Sequence, residues 1–116
     1  MSKLQFITEY YDLNLLNEQV GGNESSLQRF IEIFLETVPV DMEKLGDAIE
    51  AKDMEKSRAS SHKMKSSYML MGAEWARDLC YEIETISKTG EETEKLPEIF
   101  KELSDKFSKM VILLKS

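Results

Sequence analysis

The stretch Pro97-Glu98-Ile99-Phe100-Lys101-Glu102-Leu103-Ser104-Asp105-Lys106-Phe107-Ser108-Lys109-Met110-Val111-Ile112-Leu113-Leu114 has the cleanest periodicity in the chain. Ile99, Phe100, Leu103, Phe107, Met110, Val111 and Leu114 recur every three or four residues, which gathers them on one face of an α-helix. Pro97 suits the first helical position, where its missing N–H costs nothing. Upstream, Leu27, Phe30, Ile31, Phe34, Leu35 and Val38 repeat the pattern. Pro39 lacks an amide donor and crowds the preceding turn, so it is expected to end that helix and open a shorter one marked by Met42, Leu45, Ala48 and Ile49. Gly46 inside that shorter helix costs about 1 kcal/mol relative to Ala.

Between these runs, Asp53 suits the N-cap of a helix that reaches about Met71, where Gly72 supplies a left-handed residue. Trp75, Ala76, Leu79, Cys80, Ile83 and Ile86 mark a further helix, succeeded by a polar loop from Ser87 to Glu92. Residues 4 to 20 read as a short N-terminal helix or helical arm. Val20-Gly21-Gly22-Asn23 breaks it, and Asn23 or Ser25 caps the next helix, Ser25 standing at capping-box spacing from Gln28. No strand pattern competes. The expectation is an all-α fold, an antiparallel four-helix bundle with an additional N-terminal helical segment, forming a single domain over residues 1–116.

Composition agrees and narrows the function classes. Hydrophobic residues are 41% and charged residues 32%, enough apolar surface to fold, while five Gly and two Pro are too few for the turns of a sandwich or barrel. A net charge of -7 repels phosphate backbones and anionic membranes, so neither nucleic acid nor membrane is an expected partner. The longest apolar run, Met110 to Leu114, is far below the ~20 residues of a membrane span, and the N-terminus opens no secretory signal. A cytoplasmic, monomeric protein is expected. One Cys and one His cannot build a disulfide or the ligand set of a structural zinc site, so no metal site is expected.

The segment from Asp53 to Met71 is chemically unlike its neighbours. At 100° per residue, Met54, Ser57, Ser61, Met64, Tyr68 and Met71 fall on one stripe, the core face. His62 lies well off that stripe and points outward, beside Glu55, Arg58, Lys65, Ser66 and Met69. Lys52, Lys56, Arg58, Lys63 and Lys65 outnumber Asp53 and Glu55 here, a local positive patch on an acidic protein. An exposed histidine in such a patch suits a site that receives an anionic group. An ordinary solvated histidine is the plainer reading. Small residues Ala59, Ser60, Ser61, Ser66 and Ser67 leave the imidazole uncluttered and let another protein come close.

His62-Lys63-Met64-Lys65-Ser66-Ser67, with Gly72-Ala73 beyond, resembles the signature of the histidine-containing phosphotransfer (HPt) domain, His-x-Leu-Lys-Gly-Ser/Ala with Gly-Ala shortly after. Leu45 through Asp53, Leu79-Cys80 with Glu84, and Tyr11-Asp12-Leu13 with Gly21-Gly22 extend the resemblance loosely over nearly the whole chain. Met64 stands for the usual Leu, and Ser66 for the usual Gly.

The resemblance implies a phosphocarrier in a multistep relay, with His62 the phosphoacceptor between aspartates of two receiver domains, those of response regulators and hybrid histidine kinases. An imidazole has an unperturbed pKa of about 6.5, so its neutral, nucleophilic form is abundant near pH 7. Lys65, one turn along, would neutralise the phosphoryl oxygens. Lys63, Ser66, Ser67, Arg58 and Met69 would support or dock the partner. The resemblance also puts a polar residue of the next helix near the histidine, here Glu84, with Lys88 a turn beyond; a carboxylate there either orients the imidazole or repels phosphate. No cofactor of its own is implied, and the divalent ion for aspartyl phosphate chemistry would come with the receiver.

The alternative is a non-phosphorylated helical docking module for a response regulator or kinase; the pairing of His62 with Lys65 favours the carrier. An autonomous enzyme is disfavoured, because the chain shows no Gly-rich nucleotide loop, no carboxylate dyad and no ATP-binding apparatus. Cys80 reads as a small buried hydrophobe.

Overall fold

The structure, a computed structural model, describes residues 4–115. It contains five α-helices in chain order: α1 (Asn14–Gln19), α2 (Glu24–Glu50), α3 (Met54–Leu70), α4 (Glu74–Thr89) and α5 (Leu96–Lys115), the last entered through a 3₁₀ turn at Thr93–Lys95. Helices α2 to α5 pack as the expected four-helix bundle. Its long axis of 45 Å is close to the ~40 Å that 27 residues of α2 span alone.

Three expectations are corrected. The polar loop expected from Ser87 starts only at Gly90: α4 runs on to Thr89, with Ser87 buried against the bundle and Gly90, at φ 73, closing the helix. Pro39 lies inside α2 and ends nothing. Its missing N–H and its ring disturb one turn, yet Ile31, Phe34, Val38, Met42, Leu45 and Ile49 form one buried stripe that runs in register past it. Continuous burial on both sides outweighs a local defect whose side chain sits at the margin of the core. Residues 4 to 13 are not helical either. Thr8 Oγ1 accepts the amides of Tyr10 and Tyr11, Leu13 N–H donates to the Phe6 carbonyl at 2.8 Å, and Ile7 and Asp12 form an isolated bridge. A side chain that takes backbone amides competes with the helix for them. Only six residues at Asn14–Gln19 are helical, with Tyr11, Leu13 and Leu16 buried as the anchor.

This N-terminal strap crosses the α3–α4 corner. Asp12 N–H donates to the Met71 carbonyl at 3.1 Å, and Trp75 Nε1 donates to the Tyr10 carbonyl at 2.8 Å. Gly72, at φ +64, is needed twice over: the conformation is left-handed, and a Cβ there would collide with the Asp12 backbone. Asn23 caps α2 by accepting the Ser26 amide at 2.9 Å, so the cap is Asn23 and Ser25 lies within the helix. Asp53 caps α3 by accepting the Lys56 amide at 3.0 Å.

Phe34, Tyr68 and Phe107 join α2, α3 and α5 through edge-to-face contacts with centroids 6.0 to 6.2 Å apart. On α3, Ser57, Ser61, Met64 and Tyr68, with Met71 at its C-cap, are all fully buried, the face the periodicity selects. Ser57 and Ser61 satisfy their hydroxyls on carbonyls of their own helix, so they fill the role of small residues at no hydrogen-bonding cost. Facing them, α4 buries Ala76, Cys80, Ile83 and Ser87. Small side chains on both helices permit the close approach that puts the flank of α4 beside His62.

Candidate phosphoacceptor site

His62 projects from the middle of α3 with 64% of its side chain exposed, although its helix is firmly buried on the opposite face. Glu84 reaches it from α4: Oε2 lies 2.6 Å from His62 Nδ1, and only 15% of the Glu84 side chain is exposed. The same carboxylate's other oxygen, Oε1, meets Lys65 Nζ at 2.5 Å. Lys65 is itself half-buried, its ammonium 5.2 Å from the centre of the exposed Tyr81 ring. Histidine, carboxylate and ammonium thus form one network on the seam between two helices.

Partial burial pushes the Glu84 pKa up, but hydrogen bonds from Lys65 and His62 outweigh it and leave the carboxyl below its ordinary value. An ionised carboxylate can only accept. The proton of the 2.6 Å bond therefore sits on Nδ1, and the lone pair of the neutral ring is on Nε2, the atom turned away from Glu84.

The other predicted residues divide by position. Arg58 and Ser66 are exposed on the His62 side of α3, and Met69 is 40% exposed in line with the histidine. Lys63 is drawn the other way, to Asp41 of α2 at 3.3 Å. Ser67 is half-buried and, five residues on, lies well round the helix from His62. Lys88 is exposed a turn beyond Glu84 and joins no ion pair among the described residues.

Two neighbours escape a reading of the sequence. Asp41 is a buried carboxylate on the apolar stripe of α2, and an acidic residue breaking that period is the signal that marks it. Tyr81 carries no comparable signal, since its role depends only on how α4 is rotated. Burial pushes the Cys80 thiol up to about 12, which leaves it a packing residue rather than a nucleophile. Among the described residues there is no group of three or more His, Cys, Asp or Glu that could hold a metal ion, and no helix long and apolar enough to cross a membrane.

Comparison with known proteins places the chain in a family. No curated protein matches the chain. A solved structure does, histidine-containing phosphotransfer protein B (HptB) from Pseudomonas aeruginosa PAO1, with a TM-score of 0.84 over 94% of each chain at 22% sequence identity, a likeness of fold. The family profile described as Hpt domain matches residues 29–111, a span that includes α3, α4 and every member of the His62 network. With that match extending over most of its length, the chain belongs to the Hpt domain family.

Proposed function

We propose that the chain is a phosphocarrier of a His-Asp relay and that His62 Nε2 is the atom that takes the phosphoryl group. The observation that carries the reading is the 2.6 Å bond from Nδ1 to Glu84, which leaves the opposite nitrogen as the nucleophile on an exposed ring. Nε2 attacks the phosphorus of a receiver's aspartyl phosphate; the P–N bond forms, the acyl P–O bond breaks, and the aspartate departs as a carboxylate. The ring, still protonated at Nδ1, then carries positive charge that Glu84 balances. Onward transfer to a second receiver is the same exchange reversed.

Lys65 has three donors and uses one on Glu84, so others remain for the phosphoryl oxygens. Arg58 adds positive charge on the same face, and Ser66 leaves the approach low. The receivers of response regulators and hybrid histidine kinases are the partners, each bringing its own divalent ion, and the carrier works in the cytoplasm as a monomer without ATP-binding machinery. A docking module without phosphorylation would have no use for a carboxylate that selects one ring tautomer. The test is to incubate the chain with each phosphorylated receiver domain of its own genome and track the label. Rapid, reversible transfer from at least one receiver is expected, and transfer from none contradicts the proposal.

A further inference from the structure

His62 stands on an exposed stripe of α3 that continues through Ser66 to Met69, two turns and about 10 Å along the helix. Past Met69 the stripe opens into a cleft of about 510 Å3 between α3, the start of α4 and the N-terminal strap, lined by Glu9, Asp12, Leu15, Met69, Glu74 and Trp75 among others. Its walls combine two chemistries. Leu15 and Met69 are exposed apolar side chains, and Trp75 is held in place by its bond to the Tyr10 carbonyl. Beside them, Glu9 and Glu74 take part in no ion pair among the described residues, while Asp12 Oδ1 accepts the Asn14 amide at 2.9 Å. Arg77, whose Nη1 lies 3.2 Å from Met69 Sδ, is already matched by Asp78 at 2.9 Å.

The stripe is therefore polarised, with Arg58 and Lys65 on the His62 side and the exposed, unmatched carboxylates of Glu9 and Glu74 at the cleft. Exposed apolar walls next to unmatched carboxylates fit a side chain with a methylene stem and a cationic head. A free cation would leave Leu15 and Met69 uncovered. We infer that this cleft is a second anchor of the docking face, taking a Lys or Arg side chain that the receiver carries at least about 10 Å from its phosphorylated aspartate. The inference rests on reading His62 as the phosphoacceptor. With aspartyl phosphate drawn to the basic end and a cation to the acidic end, only one orientation of the receiver avoids like charges, so the cleft selects partners as well as holding them.

The test uses the double variant Glu9→Lys/Glu74→Lys, both exposed and outside the His62 network. Two readings are taken: labelling of His62 by phosphoramidate, a small donor that needs no docking, and the concentration of a phosphorylated receiver that gives half-maximal transfer. Equal phosphoramidate labelling is expected, with the half-maximal receiver concentration raised about tenfold and the rate at saturation little changed. Glu9→Gln/Glu74→Gln should give a smaller rise, of roughly threefold, and reads the same question if the Lys pair melts early. Unchanged half-saturation in both pairs overturns the cleft's role and leaves His62's untouched. Failure of phosphoramidate and receivers alike to label wild-type His62 overturns both.

Discussion

The His62 imidazole and the Glu84 carboxylate meet at 2.6 Å across the seam between α3 and α4, so the next helix sets which ring nitrogen is free. Removing the acceptor should unlock the ring. In Glu84→Ala the Nδ1–H form loses its advantage and transfer to His62 should slow about tenfold, while Glu84→Gln, whose amide oxygen still accepts, should fall between. Nitrogen NMR of the neutral ring reads the tautomer directly. The Nε2–H form predominating in the wild type would contradict this account.

Lys65 couples the network to pH. Glu84's folded pKa is depressed, so the folded state binds fewer protons than the unfolded chain near that value. The stabilisation is present above the ordinary Glu pKa and is lost as pH falls through the depressed folded value. Lys65→Ala removes a hydrogen bond that holds the carboxyl down, so the Glu84 pKa should rise and its carboxylate should be lost at higher pH. Transfer should slow about tenfold for want of a charge at the phosphoryl oxygens, and Tm at neutral pH should fall by a few degrees, because the largely buried Glu84 carboxylate loses its cation. A carbon NMR titration of Glu84 that gives the same midpoint in both proteins would contradict the coupling.

Ser66 lies one turn after His62 on the face a receiver must cross. Ser66→Gly should preserve or modestly improve transfer. Ser66→Arg should abolish it without unfolding the bundle, although Arg is the better helix former, because a long side chain holds the partner's aspartate out of reach. Stopped-flow transfer rates for both variants check this, and a wild-type rate for Ser66→Arg would put the docking face elsewhere.

The core of the fold is legible in the sequence because burial and period agree: the stripe of Ser57, Ser61, Met64, Tyr68 and Met71 can be read from spacing and is fully buried. Pro39 misleads because its local rule meets an apolar period that runs on unbroken. The N-terminal arm misleads because Thr8 spends its hydroxyl on two backbone amides, a choice that composition does not reveal. At the site, His62 and Lys65 share one helix and can be paired from sequence. Whether Glu84 orients or repels, and where Tyr81 and Asp41 lie, depends on the rotation and separation of neighbouring helices, which no single helix encodes.

Pro39 gives a prediction about stability alone. Pro39→Ala restores the amide donor and removes the ring from the preceding turn of α2, so it should stabilise the bundle by about 1–3 kcal/mol and raise Tm by several degrees. Thermal melting monitored by circular dichroism checks it. A lower Tm would show that the packing of α2 relies on the proline.

Whether His62 carries the phosphoryl group is read by labelling wild type and His62→Gln with a phosphorylated receiver, mapping the adduct by mass spectrometry, and timing its loss in acid and alkali. Wild type should be modified at His62 alone, and the adduct should be lost in acid and persist in alkali, because protonating the bridging nitrogen makes imidazole a good leaving group. His62→Gln should melt like wild type and take no label. Label retained by that variant, or an adduct stable in acid, would contradict the account.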